Sequence, residues 1–175
     1  MHTPNVKPLL IIVEGPTACG KSTLVKGLRR KLPDVALAHM PRPPKDIIHS
    51  PWLMETHYMT PLRDGRHVDV LLDRWVYSNM AYSAVFKNQA RCAPWNLERW
   101  ALEWFRPLAV FLTADASTLY TRIRERNEAR LPHVVDRIEN LTRLVAEYKD
   151  IEAQCGLPKV GVPTDGDGWT PAATL

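Results

Sequence analysis

Hydrophobic residues in this chain form short continuous runs, and stretches with helical periodicity separate these runs. The runs predict β-strands at residues 9–14, 35–38, 68–73, 108–112 and 159–162. The first run is almost uniformly apolar, which is typical of a strand covered on both faces of a parallel sheet. Strands that alternate with helices predict an α/β fold with right-handed crossovers.

Apolar residues recur at helical spacing between these strands. Helices are predicted at residues 21–32, 51–62, 77–87, 94–105 and 136–154, and another begins after Asp115, its expected N-cap. Two of these helices have a distinct apolar face that we expect to lie in the core. The faces comprise Leu97, Trp100, Ala101 and Trp104, and, in the last helix, Ile138, Leu141, Val145 and Tyr148.

Length and composition are typical of a soluble globular protein. The 175 residues, 45% hydrophobic and 24% charged, predict one domain that spans residues 1–175. No apolar run is long enough to span a membrane, and the N-terminus does not resemble a secretion signal, so we expect a cytoplasmic protein without a membrane partner. The three cysteines lack metal-ligand spacing and are expected to be reduced. The six histidines are scattered, and none is assigned to chemistry.

The net charge of +4 and the pI near 9.1 suit a protein that binds polyanions. A nucleic-acid surface would be expected to show basic residues interleaved with aromatic ones, and no such stripe is found. Nucleotide phosphates therefore explain the charge better, and no nucleic-acid partner is predicted.

The most informative motif follows the first strand. Gly15, four residues, and then Gly20, Lys21 and Ser22 match the phosphate loop G-x4-G-K-[ST] between a strand and a helix. Backbone N–H groups at such a helix N-terminus bind phosphate oxygens. The predicted ATP-binding residues are Gly15, Ala18, Cys19, Gly20, Lys21, Ser22 and Thr23, with Ser22 on Mg²⁺. The alternative is a tight turn without a ligand. With the phosphate loop, the strand pattern predicts a three-layer P-loop NTPase fold in which helices flank a five-stranded parallel sheet.

Asp73 ends the third predicted strand, which we expect to lie beside the phosphate-loop strand, and is the best candidate for a second metal ligand and catalytic carboxylate. Arg74 follows it and is a candidate for binding the phosphate of an acceptor. The alternative interpretation is a structural salt bridge between Asp73 and Arg74.

A second basic segment predicts a lid at about residues 124–135. Its arginines would repel one another unless anions neutralise them, so closure over ATP would explain them. A solvated helix with Glu125 and Glu128 as salt-bridge partners is the alternative. The arginines are Arg122, Arg124, Arg126 and Arg130.

Residues 73–83 resemble the Asp-Arg-Tyr, Ser-x-x-Ala-Tyr signature of thymidylate kinases, and the basic segment resembles their lid. The resemblance covers most of the chain and implies ATP and Mg²⁺ as cofactors, a deoxynucleoside monophosphate as acceptor and a possible homodimer. It implies that Lys21 and the lid arginines Arg126 and Arg130 act in catalysis, with Arg122 at ATP and Asp73 at the metal. It also implies that Arg74 binds the acceptor phosphate, that Asn79 contacts the base and that Tyr82 packs beneath the sugar.

The sequence departs from this family at two places. Thr17 stands where the family has an acidic residue facing the acceptor. The segment between Pro44 and Leu62 is short and lacks the arginine that helps recognise thymine. Arg42 and Trp52 are therefore candidates for a phosphate clamp and a base-stacking surface.

The leading hypothesis is a kinase that converts dTMP to dTDP. The alternative enzyme is a deoxynucleoside kinase, which needs a general base for a 5′-hydroxyl acceptor. That class keeps a glutamate after the second strand, where this chain has His39-Met40-Pro41-Arg42. A nucleotide sensor without transfer activity is a third hypothesis, although no guanine-reading Asn-Lys-x-Asp segment is found.

Overall fold

The structure is a computed structural model that describes residues 6–40, 43–64, 67–87, 90–126 and 137–165. Its strands are β1 (Leu9–Glu14), β2 (Ala36–His39), β3 (Val70–Asp73), β4 (Arg106–Thr113) and β5 (Lys159–Pro163). Its helices are α1 (Lys21–Lys31), α2 (Pro51–Asp64), α3 (Val76–Phe86), α4 (Pro94–Trp104), α5 (Ala116–Glu125) and α6 (Ile138–Gln154). Every predicted strand and helix is therefore present, with ends that differ by at most a few residues.

The strands form one parallel sheet in the order β2-β3-β1-β4-β5. Strand β1 is central, and its Val13 pairs with Asp73 at the carboxyl end of β3. The prediction that Asp73 ends a strand beside the phosphate-loop strand is confirmed. Ligands in open parallel sheets bind at the carboxyl ends of the strands, so this register places Asp73 at the expected edge.

Alternate residues of β1 enter two different cores, because successive side chains of a strand point to opposite faces. Leu10 and Ile12 pack in the core that also contains residues of α2, α3, α4 and α6. Ile11 and Val13 pack in the other core, which contains residues of α1 and α5. Helices therefore cover both faces of the sheet, and the predicted three-layer α/β fold is confirmed.

Two residues of the predicted apolar faces lie outside the cores. Trp104 is 39% exposed, because the chain leaves the helical conformation at Phe105 and the Phe105 ring enters the core instead. Ile138 is 43% exposed, because α6 begins there and first reaches the core at Leu141. The prediction of burial was wrong for both residues. In the described part of the chain, no helix combines the length and the apolar character needed to cross a membrane.

Candidate active site

The phosphate loop, residues 15–22, connects β1 to α1 in a conformation that requires glycine. Gly15 has φ 141° and Gly20 has φ 96°, values that residues with a Cβ rarely adopt. A Cβ at Gly15 would also overlap the carbonyl oxygen of Leu112 in β4. The loop therefore packs closely against the sheet and directs the start of α1, with its unpaired N–H groups, toward the carboxyl edge.

The ammonium group of Lys21 is buried inside this loop. Its Nζ donates to the carbonyl oxygens of Gly15 at 2.8 Å and Pro16 at 2.5 Å and lies 3.5 Å from Cys19 Sγ. Burial, together with the positive charge of Arg74, lowers the pKa of Lys21. Ala18 and Cys19 are buried residues of the loop, whereas Ser22 and Thr23 are exposed at the first turn of α1. Two cationic groups therefore lie near each other at one edge of the sheet.

The two carboxylate oxygens of Asp73 differ in their contacts. Its Oδ2 lies 3.2 Å from Nδ1 of His39, which is at the end of the neighbouring strand β2. Its Oδ1 is buried and has no hydrogen-bond partner among the described residues. Buried polar atoms almost always have partners, so this oxygen is available to a water molecule, a metal ion or a ligand. The contact with His39 was not predicted, since none of the histidines had been assigned a role.

Arg74 adopts a left-handed backbone conformation with φ 68°. Its N–H donates to the Val13 carbonyl at 3.0 Å, and its Nη1 donates to Ser78 Oγ at 3.0 Å. Its guanidinium also lies 5.7 Å from the centre of the Tyr82 ring. Among the described residues Arg74 forms no salt bridge, so the alternative of an Asp73–Arg74 ion pair finds no support. A half-buried arginine without a paired carboxylate is suited to an anionic ligand.

Thr17 and Tyr82 connect the phosphate loop to α3. The Thr17 hydroxyl and the Tyr82 hydroxyl are 2.8 Å apart, and the Tyr82 ring also contacts Phe86. Two predicted acceptor residues that are 65 positions apart in the sequence are thus in direct contact. Since Arg74 lies over the same tyrosine ring, these three side chains form one surface beside the loop.

The site also contains a buried carboxylate, Glu14, the last residue of β1, to which no role had been assigned from the sequence. It is fully buried and accepts hydrogen bonds from the N–H groups of Trp75 and Ser78 and from the Ser78 hydroxyl. Burial raises its pKa, an effect that the Ser78 hydrogen bond and the Arg74 charge oppose. Its partners are 61 and 64 residues away, so no local sequence signal predicts these contacts.

The remaining predicted residues contact other parts of the chain, are exposed, or lie outside the described residues. The Asn79 side chain bonds backbone groups of Ala90 and Cys92, so it braces the 90–92 segment. Trp52 is 71% exposed on the first turn of α2. Arg122 donates to the carbonyl and hydroxyl oxygens of Thr164 after β5. Arg126 is exposed at the end of α5, whereas Arg42, Arg130 and most of the predicted lid lie outside the described residues.

The residues at the sheet edge fit a magnesium ion. Mg²⁺ prefers oxygen ligands and is usually held by one or two carboxylates together with substrate phosphates. The buried, unpartnered Oδ1 of Asp73 and the exposed hydroxyl of Ser22 are oxygens of this kind. The described residues contain no cluster of three or more His, Cys, Asp or Glu side chains that would hold a metal without a substrate.

A cavity of about 410 Å³ lies elsewhere, between α3, α4 and the end of α6. Its lining includes Tyr77, Glu98 and Cys155, and it contains no residue of the phosphate loop. Glu98 is buried there and accepts hydrogen bonds from the Tyr77 hydroxyl and the Gly156 N–H. Because Glu98 and the Tyr77 hydroxyl bond to each other and the cavity lies away from the phosphate loop, it is not the candidate active site.

Comparison with known proteins identifies the fold. No family model matches the chain, and no curated protein matches it. The YorR protein of Bacillus subtilis, solved in complex with phosphorylated GDP, is 24% identical with a TM-score of 0.72 over 93% of this chain and 89% of that chain. Deoxyadenosine kinase from M. mycoides, solved with dCMP and a flexible dCDP, is 17% identical with a TM-score of 0.65 over 90% of this chain and 92% of that chain. The chain has the fold of these proteins.

Proposed function

We propose that this protein is a nucleoside monophosphate kinase that transfers the γ-phosphoryl group of ATP to a deoxynucleoside monophosphate, with dTMP as the leading acceptor. The observation that carries the proposal is the pair of cations at the carboxyl ends of β1 and β3. Lys21 lies inside the phosphate loop, and Arg74 lies beside it without a salt bridge among the described residues. An arginine in this position is suited to bidentate binding of a second phosphate.

Phosphoryl transfer requires alignment of two phosphates and neutralisation of charge, with little covalent chemistry by the protein. In this proposal the loop N–H groups and Lys21 bind the β- and γ-phosphates of ATP. Arg74 holds the acceptor phosphate, whose oxygen attacks the γ-phosphorus while the bond to the β–γ bridging oxygen breaks. Arg122, Arg126 and Arg130 are proposed to neutralise charge on the donor side.

Ser22 and Asp73 are proposed to hold Mg²⁺, which would neutralise phosphate charge when bound. The protein itself supplies the alignment. Asp73 is held by its place in β3 and by the contact of Oδ2 with His39, which leaves Oδ1 without a hydrogen-bond partner among the described residues. This arrangement needs no additional titratable group, because a monophosphate acceptor arrives with an ionised oxygen.

The acceptor's sugar and base are assigned to the surface formed by Thr17, Arg74 and Tyr82. The ring of Tyr82 is held on one side by Phe86 and through its hydroxyl by Thr17, which gives it a fixed orientation for packing beneath a sugar. Arg42, Trp52 and Asn79 are further proposed acceptor contacts. The side-chain amide of Asn79 already bonds the 90–92 backbone, so a base contact there would have to share or exchange these hydrogen bonds.

A deoxynucleoside kinase is the second candidate, because the fold is also that of deoxyadenosine kinase from M. mycoides. A 5′-hydroxyl acceptor needs a base to take its proton. The residue at the end of β2 is His39, and its imidazole contacts Asp73. If the acceptor is a nucleoside, this imidazole is the proposed proton acceptor, and Asp73 would orient it.

One experiment separates these candidates. The purified protein is incubated with γ-labelled ATP and Mg²⁺, and with each deoxynucleoside or deoxynucleoside monophosphate in turn. We expect label on dTMP, recovered as dTDP. Label only on nucleosides would support the second candidate, and release of free phosphate alone would support a nucleotide sensor. Lys21→Ala, purified in the same way, is the control for contaminating kinases.

A further inference from the structure

Glu14 occupies an unusual position for a carboxylate. It is the last residue of β1, immediately before the phosphate loop, and its side chain is completely excluded from solvent. Burial of a charged group is strongly unfavourable unless it is paired and hydrogen-bonded. The structure supplies these partners from the other side of the site, at the end of β3 and the start of α3.

The hydrogen bonds of Glu14 divide between its two oxygens. Oε1 accepts from the N–H of Trp75 at 2.6 Å and from the N–H of Ser78 at 3.2 Å. Oε2 accepts from the hydroxyl of Ser78 at 2.6 Å. Trp75 is the N-cap of α3 and makes no side-chain cap of its own, so Glu14 caps this helix from a different strand.

The direction of these bonds fixes the role of Ser78. An ionised carboxylate only accepts hydrogen bonds, so the single hydroxyl proton of Ser78 is committed to Glu14. The Ser78 oxygen must then accept, and its partners are Nη1 of Arg74 at 3.0 Å and the hydroxyl of Tyr148 at 2.9 Å. The guanidinium of Arg74 is therefore held by an oxygen whose orientation depends on Glu14.

We infer that Glu14 is a positioning residue that orients the Arg74 guanidinium for binding of the acceptor phosphate. It acts through Ser78 on the side chain of Arg74 and through the Trp75 N–H on the backbone that follows Arg74. The inference rests on the proposed function, since it assigns Arg74 to the acceptor.

The geometry also explains why the connection from position 14 through Ser78 to Arg74 needs a carboxylate. Three donors converge on Glu14, and a glutamine side chain can present only one oxygen to them while its NH₂ group faces another donor. Glu14→Gln therefore keeps the shape of the side chain and disrupts the direction of the Ser78 hydrogen bonds.

The test measures the KM of the acceptor, the KM of ATP and kcat in Glu14→Gln and in Ser78→Ala. Hydrogen bonds to charged groups contribute about 1.5–3 kcal/mol, so we expect the acceptor KM to rise by about 10- to 100-fold in Glu14→Gln. The KM of ATP should change by less than about threefold, because the contacts of Lys21 with the loop carbonyls remain. The two substitutions should be non-additive when combined, because they interrupt one chain of hydrogen bonds.

Glu98→Gln is the matched control. Glu98 is also a buried carboxylate that accepts hydrogen bonds from a hydroxyl and from a backbone N–H, but it lines the cavity away from the phosphate loop. A general effect of removing a buried charge should lower the stability of both variants. Only Glu14→Gln should change the acceptor KM.

The possible results have distinct meanings. If the natural protein transfers phosphate to no acceptor, the proposed function falls, and this role falls with it. If the natural protein is active and Glu14→Gln and Ser78→Ala both keep its acceptor KM, the role of Glu14 alone is refuted. Equal rises in the KM of ATP and of the acceptor would also refute it, because they would indicate general damage. If Glu14→Gln does not fold, Ser78→Ala decides the question alone, since it removes the bridging hydroxyl and leaves the buried carboxylate with both N–H donors.

Discussion

Replacement of Arg74 by glycine and by alanine should separate the effect of its backbone conformation on stability from the effect of its side chain on activity. A residue with a Cβ in the left-handed region is destabilised by about 1–2 kcal/mol relative to glycine, which has no Cβ. Arg74 has φ 68°, and its N–H is fixed by the Val13 carbonyl. We therefore expect Arg74→Gly to be more stable than Arg74→Ala by about 1 kcal/mol, the reverse of the usual order of these residues.

The two variants should be equally poor enzymes. Each charge-assisted hydrogen bond to the acceptor phosphate contributes about 1.5–3 kcal/mol, so loss of a bidentate pair predicts a fall of about 10²–10⁴-fold in kcat/KM for the acceptor. Arg74→Lys retains the charge and loses the planar guanidinium, so its activity should lie between that of the natural protein and that of the two uncharged variants. Thermal unfolding and a coupled kinase assay measure the two effects on the same samples.

Lys87 provides a matched control for the backbone term. It has φ 52° at the C-cap of α3, and its side chain is exposed. Lys87→Gly should be more stable than Lys87→Ala, and each kcal/mol of difference in the free energy of unfolding should appear as about 2–4 °C in Tm. Neither substitution should change activity. Equal stability of Arg74→Gly and Arg74→Ala would refute the backbone argument, and normal turnover by Arg74→Ala would refute the acceptor role.

Three further predictions concern the other charged groups of the site. Lys21→Ala should lower the rate of phosphoryl transfer by on the order of 10³-fold and leave the circular dichroism spectrum unchanged. The exposed Lys26→Ala is the control and should keep full activity. Near-normal turnover of Lys21→Ala would show that Lys21 has no catalytic role. Asp73→Asn should raise the Mg²⁺ concentration needed for half-maximal rate far more than it changes ATP affinity, and an unchanged magnesium titration would leave Asp73 only a structural role. Burial raises the pKa of Glu14 above 4.5, so the folded protein binds a proton there more tightly than the unfolded chain does. The stability gained from this proton is complete below pH 4.5 and is lost as the pH rises through the raised pKa. The Tm of Glu14→Gln minus that of the natural protein should therefore increase from pH 4.5 upward, and thermal unfolding that shows a decrease would contradict the direction of this shift.

The sequence predicted the strands and the phosphate loop because each depends on neighbouring residues. The apolar run of β1 and the glycines of the loop are local signals, and so is the apolar run of β3 that ends in Asp73. These elements were confirmed with small differences at their ends.

Contacts between distant residues could not be predicted in this way. The bonds of Glu14 to Trp75 and Ser78 depend on the pairing of β1 with β3, which the sequence does not specify residue by residue. The contact of His39 with Asp73 likewise arises because β2 pairs with β3 in one register. Exposure at the ends of helices was also misjudged, as Trp104 shows, because the last turn of α4 is where the chain changes direction.

The three cysteines provide built-in reporters of local opening. Cys19 in the phosphate loop, Cys92 in the 90–92 segment and Cys155 directly after α6 are 0%, 2% and 8% exposed. Burial raises the pKa of Cys92 to about 12 and also raises that of Cys155, so few reactive thiolates form at these two residues while they are buried. Alkylation followed by peptide mass spectrometry would therefore time the transient unfolding of three separate regions without any engineered label. Protection of Cys19 alone by ATP would locate nucleotide binding independently of catalysis.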